Sequence, residues 1–589
     1  MLISVETVKY DPTCSRFLNA LIREWSDWRI LENGDGTAPQ GCTHTLCLLL
    51  PASHAEISVP VMHHSTSGSH AFAYPMHVSW DGGTPEPVTL PELAILLMRE
   101  PDIGGRALPE ARRIFLTRVL DSAGAIAEVS QAAGAERPFA AGDPGFIEAE
   151  KALRFGHAVH PSPRSRDEFT NEDSRRYGPE YGNAFSLRWW AVDPVLLAGE
   201  SAAPVSAAEA ARALAALDPA LVGRAEAEAG KELMPLHPWQ AARLMQEPLI
   251  DTLMRADLIR DLGLGGPQWR ATTSLRTVYS ADADWMLKFS LSLRLTNSRR
   301  LVEEHECARG LSVYRLLAGP IGQALEARCP GFHVMGEPAW LALRAPDGSV
   351  IKETMVSFRE NPFRGAHQPK AAVLAALCER HQDDRDSHLA DLVRRIAKAE
   401  GEAPERVAER WLDRFLQVAI APFLIAQGSF GLLFGAHQQN LVLGLREGWP
   451  DRLYFRDCQG TGYVRSFLPR LREHLPEAGA AKDHVFGTDD AARIVGYYLF
   501  VNGAFPVVGA LAAAGLGGED RLFGRFRAFV ERLAAEPIED RTCLDYLLSS
   551  PTVGAKGNFM ISLGNINENT DVTDPLAGYV QLPNPLAKR

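Results

Sequence analysis

The chain has 589 residues, with 61 lysines and arginines against 73 aspartates and glutamates and a formal net charge of -12. Hydrophobic residues make up 46% and charged residues 23%, a balance that excludes a wholly disordered or fibrous chain. The length predicts roughly two to four lobes. The acidic balance excludes a general positive field for a nucleic acid or an anionic membrane, although a local cation cluster could still bind a small anion.

The eight cysteines are dispersed and form no CxxC motif, so neither a zinc ribbon nor a thioredoxin-like site is predicted. Residues 1–14 contain no basic segment followed by an apolar stretch, and the longest apolar runs, 46–51 and 510–516, are too short to cross a bilayer. We therefore expect a cytoplasmic protein with reduced cysteines and no membrane partner.

The first third of the chain mixes a helix with strands. Phe17, Leu21 and Trp25 recur at fourfold spacing, which predicts an amphipathic helix over 14–28. The following segments are typical of strands at 43–50 and 71–80, of helices at 87–99 and 110–133, and of a connection at 134–145.

The middle of the chain carries the strongest strand signals. Residues 269–279 and 285–291 predict a hairpin with a turn at 280–284. A second hairpin, 340–344 with 349–358, is predicted across the turn sequence Ala-Pro-Asp-Gly. The remainder, after Pro369, is predicted to be mainly helical, at 371–380, 388–426, 489–501 and 521–535, with a third hairpin joining 441–445 to 453–456.

Several familiar motifs are missing from the sequence. It contains no GxxxxGK[ST] phosphate loop, no GxGxxG dinucleotide motif and no HExxH zinc motif. Residues 427–431 lack the first glycine of the GxSxG nucleophile elbow. The sequence therefore gives no support to a P-loop protein, a Rossmann dinucleotide-binding protein, a zincin protease or a serine hydrolase.

The first hairpin concentrates hydroxyls and cations. If its turn centres near Asp282, Arg276 faces Lys288 and Ser274 shares that side of the sheet. Like charges opposite each other destabilise a strand pair unless an anion lies between them. The pattern therefore predicts a polyphosphate cradle; the alternative is a surface whose side chains simply point into water.

The segment after this hairpin adds further cations. Asn297 or Ser298 is predicted to cap a helix over 301–317, and a capped helix start carrying arginines can bind an anion. Arg300 follows Lys288 by twelve residues, so both could contact one ligand. The alternative is that the arginines pair with glutamates in the first turn of the helix.

An upstream loop gathers basic side chains. His157, His160 and Arg164 lie in the proline-rich stretch 156–166, and their chemistry suits a ligand rich in carboxylates. A metal site is disfavoured because further ligands at zinc spacing are missing. Solvated loop residues are the alternative.

The third hairpin presents oxygen ligands. Asn440 enters it and Asp457 leaves it at the same end, with His437 nearby. Carboxylate and amide oxygens suit Mg²⁺ bound to nucleotide phosphates; Asx turns at the hairpin end are the alternative. Of two further motifs, His237 with Pro238 is interpreted as structural, and Lys556 in a glycine-flanked turn means little by itself.

Taken together, these segments resemble the NRPS-independent siderophore synthetases of the IucA/IucC family, and above all its citrate-activating branch. The match runs in the family's order over nearly the whole chain. Its segments are FLNALIRE (17–24), GHAVHPSPRSR (156–166), HPWQ (237–240), TTSLRT (272–277), KFSLSLRLTNSRR (288–300), AHQQN (436–440), RDCQG (456–460) and KGNF (556–559).

The resemblance implies an α+β protein with the shape of a cupped hand. It implies a thumb over 1–145, fingers with an antiparallel sheet over 146–365 and a mainly helical palm over 366–589. The expected activity is ATP-dependent adenylation of a citrate carboxylate with release of pyrophosphate, followed by amide formation with an amine such as N6-acetyl-N6-hydroxylysine. ATP, Mg²⁺ and small-molecule substrates are implied, together with a possible homodimer and no nucleic acid.

Site residues carry over motif by motif. The residues expected to bind ATP are Ser274, Arg276, Thr277, Lys288, Arg300, His437, Gln439, Asn440 and Asp457, with Asn440 and Asp457 also holding Mg²⁺. The residues expected to face the carboxylate substrate are His157, His160, Arg164, Arg300 and Lys556. Lys288, Arg300 and His437 are expected to be catalytic. The family usually has lysine where this chain has Arg164, so a planar fork replaces a point charge there.

Three alternatives to this reading remain open. The first keeps the family but activates a citrate monoamide or a succinyl hydroxamate. The second is a small-molecule kinase, because the Asn440 and Asp457 hairpin also suits phosphoryl transfer. The third is a nucleotide-binding regulator without turnover.

Overall fold

The computed structural model describes residues 9–33, 41–133, 136–382, 384, 386–480, 484–568, 576 and 578–588. Helices and antiparallel sheets both contribute extensively, so the predicted α+β class is confirmed. Residues 1–8, which bear on the expected absence of a leader, and Gly134 at the start of the predicted connection lie outside the described residues.

The amino-terminal region is a twisted sheet covered by helices. Its elements are β1 (Lys9–Tyr10), α1 (Pro12–Glu24), β2 (Trp28–Glu32), β3 (His44–Leu50), β4 (Ala55–His63), β5 (Ala71–Tyr74), β6 (Met76–Trp80), β7 (Glu86–Val88), α2 (Leu90–Leu97), α3 (Pro109–Ala133) and α4 (Pro138–Ala141). The sheet order is β1-β5-β4-β3-β2, and β6 pairs with β4 and β7. The predicted apolar stripe of α1, including Phe17 and Leu21, is fully buried against this sheet.

The central region is built on a long sheet. Its elements are α5 (Phe146–Ala152), α6 (Asn171–Tyr177), β8 (Phe185–Val192), β9 (Leu197–Ser201), α7 (Ala207–Ala215), α8 (Pro219–Glu226), β10 (Glu232–Leu236), α9 (Pro238–Leu244), α10 (Pro248–Arg255), β11 (Ile259–Ala271), β12 (Thr277–Tyr279), β13 (Trp285–Phe289), β14 (Leu291–Leu295), β15 (Ser298–Arg300), α11 (Glu304–Leu317), α12 (Pro320–Arg328), β16 (Phe332–Val334), β17 (Ala339–Arg344) and β18 (Val350–Glu360). The strand order is β10-β8-β11-β12-β13-β18-β17-β9.

The carboxyl-terminal region is mainly helical. Its elements are β19 (Ala371–Val373), α13 (Leu374–Cys378), α14 (His388–Glu400), α15 (Pro404–Phe415), α16 (Ala421–Phe430), β20 (Leu432–Leu433), β21 (Leu441–Arg446), β22 (Trp449–Phe455), β23 (Gly462–Val464), α17 (Leu468–Arg472), β24 (Val485–Phe486), α18 (Thr488–Val495), α19 (Phe505–Ala513), α20 (Glu519–Ala534), α21 (Thr542–Ser549), β25 (Thr552–Lys556), α22 (Phe559–Leu563) and β26 (Tyr579–Pro583). Two π-helical segments, Leu416–Ile420 and Gly496–Ala504, connect α15 to α16 and α18 to α19.

The second and third predicted hairpins are confirmed, and the strand register of the first is corrected. β17 pairs with β18, and β21 pairs with β22, as expected. In the first hairpin, however, Thr277 and not Arg276 lies opposite Lys288. The chain leaves β11 at Ala271 and makes a tight turn in which Leu275 has a φ of +65°, so Arg276 lies in the turn before β12. With Thr277 opposite Lys288, the turn that joins β12 to β13 centres between Asp282 and Ala283, half a residue later than expected, and this changes the pairing by one residue.

The predicted helix cap at Asn297 or Ser298 is wrong. β15 covers Ser298–Arg300 and pairs with β14 across a two-residue turn, at which Thr296 has a φ of +52°. The helix begins later, at Glu304, with Glu303 as its N-cap. Arg299 and Arg300 therefore extend from a hairpin strand and not from the start of a helix. An anion bound there would contact their side chains without the help of a helix N-terminus.

One helical segment among the described residues is long and apolar enough to cross a membrane by length and composition alone. It is Thr488–Ala513, with a mean hydropathy of 1.6 over its most apolar window. Inside the protein, 78% of that window is buried, as in a core helix. The apolar runs in the sequence are shorter than this helix because the polar residue Asn502 separates them, whereas the helix continues through it.

The main sheets fall within the three predicted regions, although their cores are joined. β16, from the central region, pairs in parallel with β22 of the carboxyl-terminal region. Phe559, from α22, packs against Phe17 and Phe115 of the amino-terminal core. The boundaries 1–145, 146–365 and 366–589 stay a prediction.

A buried ion pair links α5 to the end of the β21–β22 hairpin, and we predict that it is essential for stability. Glu150 accepts a hydrogen bond of 2.8 Å from Arg456, and both side chains are almost completely buried. Glu150→Gln removes the charge that compensates the guanidinium, at an expected cost of about 3–5 kcal/mol. The measurement is the melting temperature. Glu148→Gln, at an exposed position of the same helix, is the control; equal melting temperatures for the two variants would contradict the prediction.

His237 caps α9 and leads to a prediction about acid stability. Its Nδ1 accepts a hydrogen bond from the Trp239 amide, and burial lowers its pKa to about 3. The unfolded chain takes up this proton near pH 6.5 while the folded protein does not, so the contribution is complete above pH 6.5 and is lost as the pH falls toward 3. At pH 5 the loss is about 2 kcal/mol.

His237→Asn keeps a capping oxygen and removes the titrating ring. We expect the melting temperature of this variant to fall less between pH 7.5 and pH 5 than that of the wild type, although its stability is lower throughout because ring contacts with Tyr177 and Phe185 are lost. His54→Asn, at a position with positive φ that asparagine tolerates, should leave the wild-type pH slope. An unchanged slope for His237→Asn would disprove the assignment.

Candidate functional site

A cavity of about 790 Å³ lies where the three regions meet. It is bordered by α1, by β13 and nearby loops of the central sheet, and by the residues that flank the β21–β22 hairpin. The predicted site residues that line it are His157, His160, Arg164, Ser274, Arg276, Lys288, Arg300, His437, Gln439, Asp457 and Lys556. Thr277 and Asn440 lie behind this lining.

Lys288 projects from β13 and joins two regions at one end of the cavity. Its ammonium group donates a very short hydrogen bond to Asp457 and one of 2.7 Å to Gln459. Glu337 lies 3.9 Å away. Since Lys288 is only 2% exposed, these acceptors replace the water that its charge would otherwise require.

Asp457 is the anion at the centre of this end. It follows β22 with a φ of +79°, a left-handed conformation that directs the chain into the next turn. Burial would raise its pKa, but the charges of Lys288, Arg359 and Arg276 outweigh burial and hold the pKa well below the usual range. The carboxylate is therefore ionised at neutral pH and is available to a cation.

Two arginines approach the same end from neighbouring turns. Arg276 donates a hydrogen bond of 2.8 Å to the carbonyl of Leu301. Arg300 donates to the Thr296 hydroxyl at 3.2 Å, and its Nε is buried with no hydrogen-bond partner among the described residues. Burial and the nearby charge of Arg276 lower the pKa of Arg300 to about 10. Arg300 therefore stays charged at neutral pH and keeps a free donor for a ligand.

The two predicted hydroxyl residues differ in access. Ser274 lines the cavity, and its hydroxyl accepts a hydrogen bond of 3.2 Å from the amide of Thr277. Thr277 is 1% exposed, and its hydroxyl has no partner in the described part of the chain. Ser274 can therefore contact a ligand directly, whereas Thr277 supports the turn that presents it.

The start of the β21–β22 hairpin presents His437 and Gln439 to the cavity. Gln439 is held by Arg456, which donates a hydrogen bond of 2.8 Å to its carbonyl. Asn440 is turned inward, and its amide donates to the carbonyl of Gly435 at 2.9 Å. Of the two predicted Mg²⁺ ligands, Asp457 lines the cavity, whereas Asn440 is not among its lining residues.

Three histidines of the cavity, His157, His160 and His437, are neutral at pH 7. Desolvation lowers the pKa of His157 to about 3 and the pKa values of His160 and His437 to about 4. The Nδ1 atoms of His157 and His160 accept hydrogen bonds from the backbone amides of Val159 and Ser162. Their Nε2 atoms therefore carry the protons, and a neutral N–H can donate to a carboxylate at a small desolvation cost.

Lys556 is a further cation of the cavity lining and lies near His160. Lys556 pairs with Glu568 at 2.8 Å, and Asn297 joins this pair to the histidine. The Asn297 amide donates to Glu568 at 3.2 Å, while its oxygen lies 3.1 Å from Nε2 of His160. Asn558 also contacts Asn297. His160, Asn297, Lys556, Asn558 and Glu568 thus form a second polar part of the cavity lining.

Arg164 is bound to an internal carboxylate. Its guanidinium makes a very close ion pair with Glu180, which also accepts a hydrogen bond of 3.0 Å from Arg166. Burial opposes the ionised form, but the two arginines together lower the pKa of Glu180 to about 2. Nε of Arg164 has no partner among the described residues. The guanidinium group of Arg164 thus binds Glu180 through one edge and keeps its Nε–H as a donor for a ligand.

Several residues of the site were missed from the sequence. Gln459 lies in the motif RDCQG and Asn297 in the motif KFSLSLRLTNSRR, so the family motifs could have identified both residues. Glu337 and Arg359, which form a very close ion pair beside Asp457, carry no such signal. Arg359 lies on β18, two strands away in the sheet from β12, and only the tertiary structure brings it to Asp457.

The arrangement has a definite chemical capability. One end carries three cations around an ionised carboxylate, which suits a polyphosphate, and the other carries neutral N–H donors and one lysine, which suits carboxylates. A thiol nucleophile is disfavoured, because burial raises the pKa of Cys378, the cysteine that lines the cavity in the described part of the chain, to about 12.

Comparison with known proteins places these features in a family. The model of the IucA / IucC family matches residues 145–379, and that of the ferric iron reductase FhuF-like transporter family matches residues 409–571. The N(2)-citryl-N(6)-acetyl-N(6)-hydroxylysine synthase of Escherichia coli is 34% identical over 100% of this chain and 99% of its own length. The enzyme of the same name from Vibrio mimicus is 32% identical over 98% of this chain and 96% of its own.

Solved structures agree with the sequence relatives. The ATP-bound aerobactin synthetase IucA of Klebsiella pneumoniae has a TM-score of 0.90 and 32% identity, and the alignment covers 98% of this chain and 100% of that one. A second structure of the same synthetase has a TM-score of 0.88. The chain belongs to the IucA/IucC family.

Proposed function

We propose that this protein uses ATP to adenylate a carboxylate of citrate, with release of pyrophosphate, and then transfers the citryl group to an amine. The amine is proposed to carry a hydroxamate, as N6-acetyl-N6-hydroxylysine does. The proposal rests on one observation above all: a single cavity joins the Lys288, Arg276 and Arg300 cluster to the end lined by His160 and Lys556. The names of the relatives support the same reaction.

In this proposal the cation cluster binds the phosphates of ATP. Lys288 acts as a point charge and Arg276 as a fork, while Arg300, whose Nε is unpartnered among the described residues, reaches both ATP and the carboxylate. Charge builds up on the phosphates as pyrophosphate leaves, so fixed cations stabilise the transition state more than the ground state. His437 lies within the same lining and orients the reacting phosphate.

Mg²⁺ would be held on the phosphate side by Asp457, with Asn440 as the second proposed ligand. The ionised carboxylate of Asp457 fits a hard cation, and the amide nitrogen of Asn440 donates to the Gly435 carbonyl, so that its oxygen is the atom that would bind the ion. When bound, the ion would offset part of the charge on the triphosphate.

Citrate would occupy the opposite end of the cavity. His157 can donate its Nε2–H to a carboxylate of citrate, whereas His160 would have to exchange its Asn297 partner to do so. Lys556 can exchange Glu568 for a substrate carboxylate. Arg164 can contribute its free Nε. Because no nucleophile is paired with a base here, catalysis is proposed to rest on orientation and electrostatics without a covalent enzyme intermediate.

The remaining expectations from the family extend this proposal. The regions 1–145, 146–365 and 366–589 are proposed to act as thumb, fingers and palm around the cavity. The protein is proposed to work in the cytoplasm on small molecules, with a homodimer as its possible assembly.

We predict that citrate elicits adenylation. The purified chain is incubated with ATP, Mg²⁺ and hydroxylamine, and pyrophosphate, AMP and acyl hydroxamate are measured with each acid in turn. Citrate should give all three products, because hydroxylamine captures an acyl adenylate. A signal with a citrate monoamide or a succinyl hydroxamate, and none with citrate, would favour the other branches of the family.

The same experiment separates the other functional classes. ADP together with a phosphoester would identify a small-molecule kinase. Binding of ATP without any turnover, across all acids and several amines, would indicate a nucleotide-binding regulator. Either result would overturn the proposed ligase activity.

We further predict that Arg300 is required for adenylation. Arg300→Gln should lower citrate-dependent pyrophosphate release about 10²-fold or more, the usual loss when one charge-stabilising donor is removed. Arg299→Gln is a matched control, since this exposed neighbour on the same hairpin does not line the cavity. Equal melting temperatures would show that both variants fold. Near-normal release by Arg300→Gln would show that the shared anion site is misassigned.

A further inference from the structure

A second cavity, of about 370 Å³, lies beside the loop between α13 and α14. His381 and His388 line it, and Asp391 lies next to both. One potential ligand atom from each of the three residues lies within 4.8 Å of the others. None of these three residues lines the principal cavity or has a part in the proposed reaction.

The backbone holds these three side chains in a defined arrangement. His388 begins α14 and Asp391 follows one turn later, so both project from the same face of the helix. The preceding segment folds back on the helix start, where Arg380 forms a β-bridge with Ser387 and the amide of His381 donates to the carbonyl of Asp386 at 2.8 Å. Two imidazoles and one carboxylate are thereby gathered within eleven residues of chain.

His388 has an available lone pair in a buried position. The residue is 2% exposed, and its Nδ1 has no hydrogen-bond partner in the described part of the chain. A neutral imidazole that carries its proton on Nε2 presents its lone pair on Nδ1, which is one of the two arrangements that metal-binding histidines use.

The carboxylate is oriented in the same way. One oxygen of Asp391 lies 2.8 Å from Nε2 of His381, and the other accepts a hydrogen bond of 3.0 Å from Arg137. Arg137 also pairs with Asp384. A ligating carboxylate is commonly held on its outer oxygen by such a donor, which leaves the inner oxygen facing the metal.

We propose that His381, His388 and Asp391 form a second site, which binds a divalent transition metal such as Zn²⁺. Two histidines and one carboxylate are a known ligand set for zinc and leave one position open. Zinc ligands lie about 2.0–2.1 Å from the ion, so the donor atoms must stand about 3.3 Å apart. The donor atoms of His381 and Asp391 already lie 2.8 Å apart. The donor atom of His388 lies within 4.8 Å of both, and small side-chain rotations would bring it to the required distance.

The surroundings determine what completes the coordination. The open position faces the second cavity, which is also lined by Arg137, Arg154 and Arg380. A divalent ion with one carboxylate ligand keeps a net positive charge, so water, hydroxide or a small anion is the fitting fourth ligand. Glu379 and Arg380 line both cavities, and the metal would fix the loop that carries them.

The test uses the full chain, stripped with a chelator and dialysed, and titrates it with Zn²⁺ by calorimetry. We expect one strongly bound equivalent and a rise in melting temperature, because an ion that binds only the folded state stabilises it. His381→Gln and Asp391→Asn should each weaken binding at least about tenfold. His54→Gln, whose ring is largely exposed and far from the loop in sequence, should bind as the wild type does.

A second measurement guards against variants that fail to fold. Co²⁺ is added to the wild type, where nitrogen and oxygen ligands should give weak visible bands without thiolate charge-transfer absorption. Strong thiolate absorption would mean that cysteines bind the ion. That outcome, no binding by the wild type, or undiminished binding by both folded variants would overturn the proposal and leave His381 and Asp391 as an internal ion pair.

Discussion

The ion pair between the buried Lys288 and the partly buried Asp457 is the interaction on which the site depends. It joins a strand of the central sheet to the end of a hairpin in the carboxyl-terminal region, and the ammonium group of Lys288 would be costly to bury without a partner. Its carboxylate is shared with Arg359, which is itself tied to Glu337. The position of β13 relative to the β21–β22 hairpin, and hence the shape of the principal cavity, follows from satisfying these charges together.

The same principle governs the other cations of the cavity. Arg164 is paired with Glu180 and Lys556 with Glu568, so each has an internal carboxylate in place of a substrate. An anionic substrate that enters at Lys556 exchanges one carboxylate for another and avoids most of the desolvation cost that a bare buried cation would impose. The net charge of -12 is therefore compatible with binding two polyanions, because the cations are concentrated inside while the acidic surplus is distributed over the chain.

Many residues of the site could be predicted from the sequence, but their spatial arrangement could not. The residues Ser274, Arg276, Lys288 and Arg300 could be singled out because hydroxyls and cations clustered in short segments, and all four line one cavity. The expected pairing of Arg276 with Lys288 failed because the turn between β12 and β13 centres half a residue later than its sequence suggested. Such a turn depends on packing around it, which periodicity does not record.

By itself, the sequence determined many of the helices and strands outside residues 146–268, the hairpins that end in strong turn signals and the family resemblance, since these depend on neighbouring residues and on motifs. Only the tertiary structure decided that Thr277 lies outside the cavity lining, that Arg359 and Glu337 lie beside Asp457, and that Nδ1 of His388 has no hydrogen-bond partner among the described residues. These outcomes depend on contacts between residues far apart in the chain, and on which charges remain buried once those contacts are made.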